Sequence, residues 1–288
     1  MVERGEEVVV IDNFNDYYDP LIKRKNVNKN VKVFEKDICE NLDDIFSFGF
    51  DAVIHLAARA GVRPSIDNPK LYVDTNIVGT QNILDTMVKF NVKKLVFASS
   101  SSVYGNNDKI PFSEDDNVDN PISPYAATKK ANELMCYTYH HLYGMDINCL
   151  RFFTVYGPRG RPDMAIAKFV RLIDSGESIE MYGDGSTRRD YTFIDDIVSG
   201  VLFALDKDFG YEIFNLGNSD TVLLKDLIST IEIGLEKKAV IVKKEIQQGD
   251  VDVTYADISK AKRMLGYNPK TNISDGVKKY IEWYKKNL

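Results

Sequence analysis

The chain has 288 residues, 44% of them hydrophobic and 28% charged, with a formal net charge of -6. That length and balance suit a globular protein with a sizeable core, and the acidic excess argues against a nucleic-acid partner. Three cysteines without C-x-x-C spacing and three histidines without ligand spacing argue against a disulfide framework or a metal site. No apolar run approaches a membrane span and no signal peptide is read, so no membrane partner is expected and the cytoplasm is the expected compartment.

In chain order, apolar β-branched runs at 8–11, 31–34, 52–56, 94–98 and 147–151 predict strands. Between them, 42–46, 71–90 and 125–143 predict helices. Strand–helix alternation means the α/β class with a doubly wound parallel sheet, Rossmann-like, whose ligand crevice lies at the carboxyl ends of the strands. Past about residue 155 the pattern loosens. Helices are expected at 163–175, 195–205, 223–235 and 273–286, and strands at 213–216 and 239–242. This predicts one domain over 1–155 and a smaller mixed domain over 156–288, with some chain exchanged between them.

The first strand ends at Asp12, placed like the ribose-binding acid after the second strand of a dinucleotide fold. The strand and G-x-G-x-x-G turn that cradle a pyrophosphate do not precede it. Residues 2–5 read as the tail of the helix after that turn, with Gly5 as its cap. An N-terminally truncated dinucleotide domain is therefore expected, short by about 25 residues, the length of one strand and one helix.

Tyr125-Ala-Ala-Thr-Lys129 starts a helix after Pro124, which places Tyr125 and Lys129 on one face. A lysine cation there would favour the phenolate of a tyrosine that otherwise titrates at about 10. Alone, this spacing reads as an exposed tyrosine and a solvated lysine. The strand ending at Ala98 runs directly into Ser99, Ser100, Ser101 and Ser102. That puts hydroxyls at a strand's carboxyl end, where the alternative is a polar turn; the spacing from this run to Tyr125 tips the reading toward chemistry. His55 reads as structural, and Cys136 and Cys149 as core.

Several motifs occur together: His55-Leu-Ala-Ala58, Asn76 with Gly79-Thr80, Ser99–Gly105, Tyr125–Lys129, Leu150-Arg-Phe-Phe153 with Val155-Tyr-Gly-Pro158, and Arg189-Asp-Tyr191 with Asp195-Asp196. Through them nearly the whole chain resembles the extended short-chain dehydrogenases/reductases that act on nucleotide sugars. The resemblance implies NAD as cofactor in the first domain and a UDP-sugar in the second. It implies Asp12 and Asn13 at the adenosine ribose, Asp37 and Ile38 at the adenine edge, and Leu56, Ala57, Ala58, Asn76 and Ser99 along the dinucleotide. Tyr125 would be the acid/base, Ser100 would share the substrate O4 hydrogen bond, and Lys129 would also bind the nicotinamide ribose. A homodimer through the helices at 71–90 and 125–143 is implied as well.

Relatives that dehydrate or decarboxylate carry acids beside the catalytic hydroxyl; here those positions are Ser101 and Ser102. Without a carboxylate, elimination lacks its acid/base pair, which leaves 4-epimerisation. Residues 12–20 and 157–164 look like the UDP-glucuronate 4-epimerases. On that reading Thr154 and Arg161 meet the sugar carboxylate, an arginine fork suiting it. Arg189 would meet the diphosphate, Asp250 the uridine ribose, and residues 181–183 the uracil. A UDP-glucose or UDP-N-acetylhexosamine 4-epimerase is the alternative. A silent UDP-sugar-binding chain with weak stability and little NAD retention is the alternative from another class.

Overall fold

The computed structural model describes residues 1–245 and 251–287. The first half runs β1 (Val9–Asp12), α1 (Pro20–Asn26), β2 (Lys32–Glu35), α2 (Asp43–Phe46), β3 (Ala52–His55), α3 (Val62–Asp67) and α4 (Pro69–Tyr72). It continues through α5 (Gly79–Lys89), β4 (Lys94–Ser100), α6 (Pro124–Tyr143) and β5 (Asp146–Phe152). The second half holds β6 (Thr154–Tyr156), α7 (Ala165–Asp174), β7 (Ser178–Tyr182), β8 (Arg188–Arg189), β9 (Tyr191–Phe193) and α8 (Ile194–Leu205). Then come β10 (Tyr211–Leu216), β11 (Val222–Leu223), α9 (Leu224–Leu235), β12 (Val240–Lys244), α10 (Ser259–Leu265) and α11 (Ile273–Lys286).

A parallel sheet of order β10-β5-β4-β3 is the frame of the molecule. In β4, Leu95 and Phe97 face one side, where they join Ile83, Leu84 and Met87 of α5 and Cys136 of α6. Val96 faces the other side with Leu150, Phe214 and Leu216, against Ile197 and Val201 of α8 and Ala261 and Leu265 of α10. Two apolar faces per strand, each covered by helices, are what continuous β-branched runs demand. β10 and α8 come from the second half of the chain yet complete this layer. β1 and β2 form a separate parallel pair, and among the described residues no ladder joins β1 to β3. A third core packs α7, α9 and α11 around β7, with Ile179, Leu227, Ile231 and Val277 fully buried.

Local chemistry places the central helix. Ser123 caps α6 by accepting the Ala126 amide at 3.1 Å, Pro124 sits at its first position, and Gly144 ends it in the left-handed region at φ 61°. The helix expected over 71–90 is interrupted. Residues Val73–Val78 form a π-helical turn between α4 and α5. Asn76 lies in that turn, 1% exposed, and its side chain is wholly used in bonds to its neighbours. Such turns accommodate one extra residue and recur beside functional sites. β4 also extends two residues beyond the apolar run, to Ser99 and Ser100.

Candidate active site

Ser100 ends β4, and its hydroxyl accepts from the Ser102 amide at 3.2 Å and the Ser102 hydroxyl at 2.9 Å. Its own proton is thereby free for Tyr125, to whose phenol it is hydrogen-bonded. Burial raises the Tyr125 pKa, while the Ser100 hydrogen bond and the nearby Arg161 charge oppose that rise. Lys129 departs from expectation. Its ammonium donates to the Ala98 carbonyl at 2.6 Å and lies 5.0 Å from the centre of the Phe97 ring. Burial pulls its pKa down to about 8. The cation acting on the phenol is Arg161, which comes from a loop of the second half. Sequence spacing puts two residues on one helix face; it does not say which neighbour captures a flexible ammonium.

One cavity of about 650 Å³ lies at the carboxyl ends of β1, β3 and β4. Asp12, Asn13, Asp37, Ile38, Leu56, Ala57, Ala58, Ser99, Tyr125 and Lys129, the residues the resemblance implies for the cofactor, all line it. Asn13 donates to Asp37 at 2.7 Å, which joins the two strand ends. Together they offer acceptors for ribose hydroxyls beside the apolar Ile38 and Leu56. This donor set fits the adenosine and nicotinamide ends of a dinucleotide. No glycine-rich turn is among the lining residues; Lys23 and Arg59 are the cations that flank Asp12 and Ala58 there.

Two expected cofactor residues work differently. Asn76 does not line the cavity: its amide donates to Arg59 O and Thr128 Oγ1, both at 3.0 Å, and its oxygen accepts Arg59 N at 2.7 Å. These bonds fix the loop after β3. Ser99 reaches the cavity wall, but its hydroxyl is spent on Glu133 at 2.6 Å. His55 matches its structural reading: it is buried against Thr80 at 3.0 Å, and burial lowers its pKa to about 3, keeping it neutral.

A second cavity, about 810 Å³, adjoins the first, with Tyr17, Ser99, Tyr125 and Arg161 on both walls. Ser100, Ser101, Ser102, Thr154 and Arg189, which the resemblance implies for the substrate, line it. Four arginines, Arg63, Arg159, Arg161 and Arg189, share this cavity with Asp163, its one carboxylate among the described residues. Asp250 lies outside the described residues. Met181 packs into the third core, so residues 181–183 are not a wall of this cavity among the described residues. Arg63 instead stacks on the Tyr182 ring at 4.8 Å.

Sequence reasoning passed over the support beneath the site. Glu133, one turn after Lys129, forms a two-pronged ion pair with Arg151 of β5, both contacts 2.9 Å and both side chains 1% exposed. Arg151 also donates to Tyr104 at 3.0 Å, and Tyr104 donates to Asn215 at 2.6 Å. The available signal was a charge inside an apolar strand, at Arg151. Tyr17 and Asp163 were also missed as cavity residues. No metal-binding cluster and no helix able to cross a membrane occurs among the described residues.

The model of the NAD dependent epimerase/dehydratase family matches residues 1–217. A UDP-glucuronate 4-epimerase of Thermodesulfobacterium geofontis is 47% identical over 297 residues, spanning 100% of this chain and 91% of that protein. The crystal structure of UDP-glucose 4-epimerase from Thermotoga maritima with UDP-glucose superposes with a TM-score of 0.93 at 32% identity, covering 99% of this chain and 93% of that one. That of Bacillus cereus UDP-glucuronic acid 4-epimerase, in complex with UDP-glucuronic acid and NAD, gives 0.92 at 33% identity, covering 100% and 93%. A Tyr125–Ser100 pair at the junction of two cavities, on a parallel sheet shared with these enzymes, completes the assignment: the chain belongs to the NAD-dependent epimerase/dehydratase family.

Proposed function

We propose that this enzyme interconverts UDP-glucuronate and UDP-galacturonate by 4-epimerisation. The observation that carries this reading is the charge of the second cavity: four arginines against one acid among the described residues, with serines at 101 and 102 where an eliminating enzyme needs carboxylates. Such a cavity suits a ligand with a diphosphate and a further carboxylate.

NAD supplies, when bound, the hydride acceptor and donor for C4 of the sugar. Asp12, Asn13, Asp37 and Ile38 would hold its adenosine half, Leu56, Ala57 and Ala58 its middle, and Lys129 its nicotinamide ribose. Tyr125 takes the O4 proton during oxidation and returns it after reduction. Ser100, with its acceptor sites filled by Ser102, donates toward the same phenol–O4 pair. The 4-keto sugar then turns in the cavity and is reduced on its other face. A 4-ketoglucuronate is a β-keto acid, prone to losing CO2. Thr154 and Arg161 hold the carboxylate away from the geometry that cleaves that bond, and Arg189 holds the diphosphate. Arg161→Ala tests the assignment. UDP-glucuronate turnover should fall at least tenfold while UDP-glucose binding stays unchanged; undiminished turnover of UDP-glucuronate would remove Arg161 from this role.

The apolar side chains exposed on the π-helical turn and α6, Val73, Val78, Leu134, Tyr137 and Leu142, support a homodimer formed through these helices.

A further inference from the structure

Arg161 cannot act as a carboxylate fork unless its guanidinium is aimed, and the structure contains a built device for aiming it. Arg161 follows Gly160 and precedes Pro162, so the proline biases its backbone to an extended conformation. Asp163, two residues on, takes the Nε–Nη2 edge of the guanidinium in two contacts, Nε to Oδ1 at 3.0 Å and Nη2 to Oδ2 at 2.5 Å. Tyr17 arrives from the loop between β1 and α1, 146 residues away in sequence, and donates its hydroxyl to Asp163 Oδ2 at 3.1 Å. The Arg161 guanidinium carbon sits 5.2 Å from the centre of the Tyr17 ring. Nη1 has no hydrogen-bond partner among the described residues, and Arg161 lines both cavities.

A guanidinium has two edges that can grip a carboxylate in parallel, Nε–Nη2 and Nη1–Nη2. Asp163 occupies one edge and Nη2 also reaches the Tyr17 hydroxyl at 3.5 Å, so Nη1 is the donor left for a second carboxylate. We propose that Asp163 and Tyr17 are specificity-positioning residues: they hold Arg161 by one edge so that the other recognises the carboxylate of a uronate sugar. This rests on the glucuronate reading and deepens it. Tyr17 joins the loop beside the Asp12 ribose site to the loop that carries Arg161. The clamp therefore ties uronate recognition to the cofactor side of the crevice.

The test is isothermal titration of the full chain with UDP, UDP-glucose and UDP-glucuronate, for wild type, Asp163→Asn, Arg161→Ala and the double variant. The readout is the ratio of the UDP-glucose Kd to the UDP-glucuronate Kd. Wild type should favour UDP-glucuronate. Asp163→Asn should lower the ratio about tenfold, the scale of one lost charge-assisted contact, with UDP affinity unchanged. The double variant should be no less selective than Arg161→Ala alone, because both substitutions remove one interaction. An unchanged ratio in Asp163→Asn would overturn the clamp, and so would a loss of UDP affinity in equal proportion, which marks a fold defect. A wild-type ratio near one would sink the glucuronate reading, and the clamp with it, before any variant is compared.

Discussion

Lys129 donates its ammonium to the carbonyl oxygen of Ala98 at 2.6 Å, so strand β4, not the tyrosine one turn earlier, holds the lysine of the pair. The carbonyl lies two residues before Ser100 on the same strand. Lysine and serine are thus registered to one another through β4.

Burying this ammonium opposes folding. Lys129 titrates at about 8 in the folded chain against an ordinary 10.5. Between these values the unfolded chain keeps the proton and the folded chain does not, so this group makes stability rise with pH across that window; below about 8 its cost is constant. Lys129→Met should therefore unfold a few degrees higher at pH 7 and lose activity. Its advantage over wild type should shrink between pH 8 and 10. Thermal unfolding at pH 7, 8, 9 and 10 checks this; a variant less stable than wild type at pH 7 would contradict it.

The Glu133–Arg151 pair should behave in the opposite way. Both charges are fully buried, and Glu133 also accepts the Ser99 hydroxyl beside Ser100. Glu133→Ala strands the Arg151 charge, a loss of about 3–5 kcal/mol for a buried pair broken on one side. Glu133→Gln keeps acceptors for Ser99 and should cost less. Urea unfolding measures both, and an alanine variant within 1 kcal/mol of wild type on the same scale would contradict the account.

Gly79 opens α5 beneath Ile38, which lines the first cavity. A Cβ there would stand 2.5 Å from Ile38 Cδ1 and 2.7 Å from Cγ1. Gly79→Ala must displace Ile38, at an overpacking cost of about 1–3 kcal/mol. NAD affinity, read by titration, should weaken several-fold while UDP affinity holds. Equal loss of both affinities would show that the helix itself had moved.

Much of this site was legible in the residues. The parallel sheet followed from β-branched runs alternating with helices, because strands buried on both faces leave no polar alternation. Ser100, Tyr125 and Arg161 were proposed because a run of serines at a strand end, a Y-x-x-x-K helix start and a glycine–proline loop match motifs of the family the chain resembles. The role of Asn76 was not legible, since its three bonds depend on a π-helical turn that no periodicity announces. Nor was the direction of Lys129 or the clamp of Tyr17 on Asp163, which joins loops far apart in the chain. The short pairs β6–β9 and β8–β11 escaped notice because strands of two or three residues carry no readable pattern.

The most direct test is to supply the purified chain with NAD and, separately, with UDP-glucuronate, UDP-glucose and UDP-N-acetylglucosamine, and to resolve the 4-epimers by chromatography. The account predicts UDP-galacturonate from UDP-glucuronate, without CO2 release, and no epimer from the two neutral sugars. UDP-galactose from UDP-glucose, with no UDP-galacturonate formed, would contradict it.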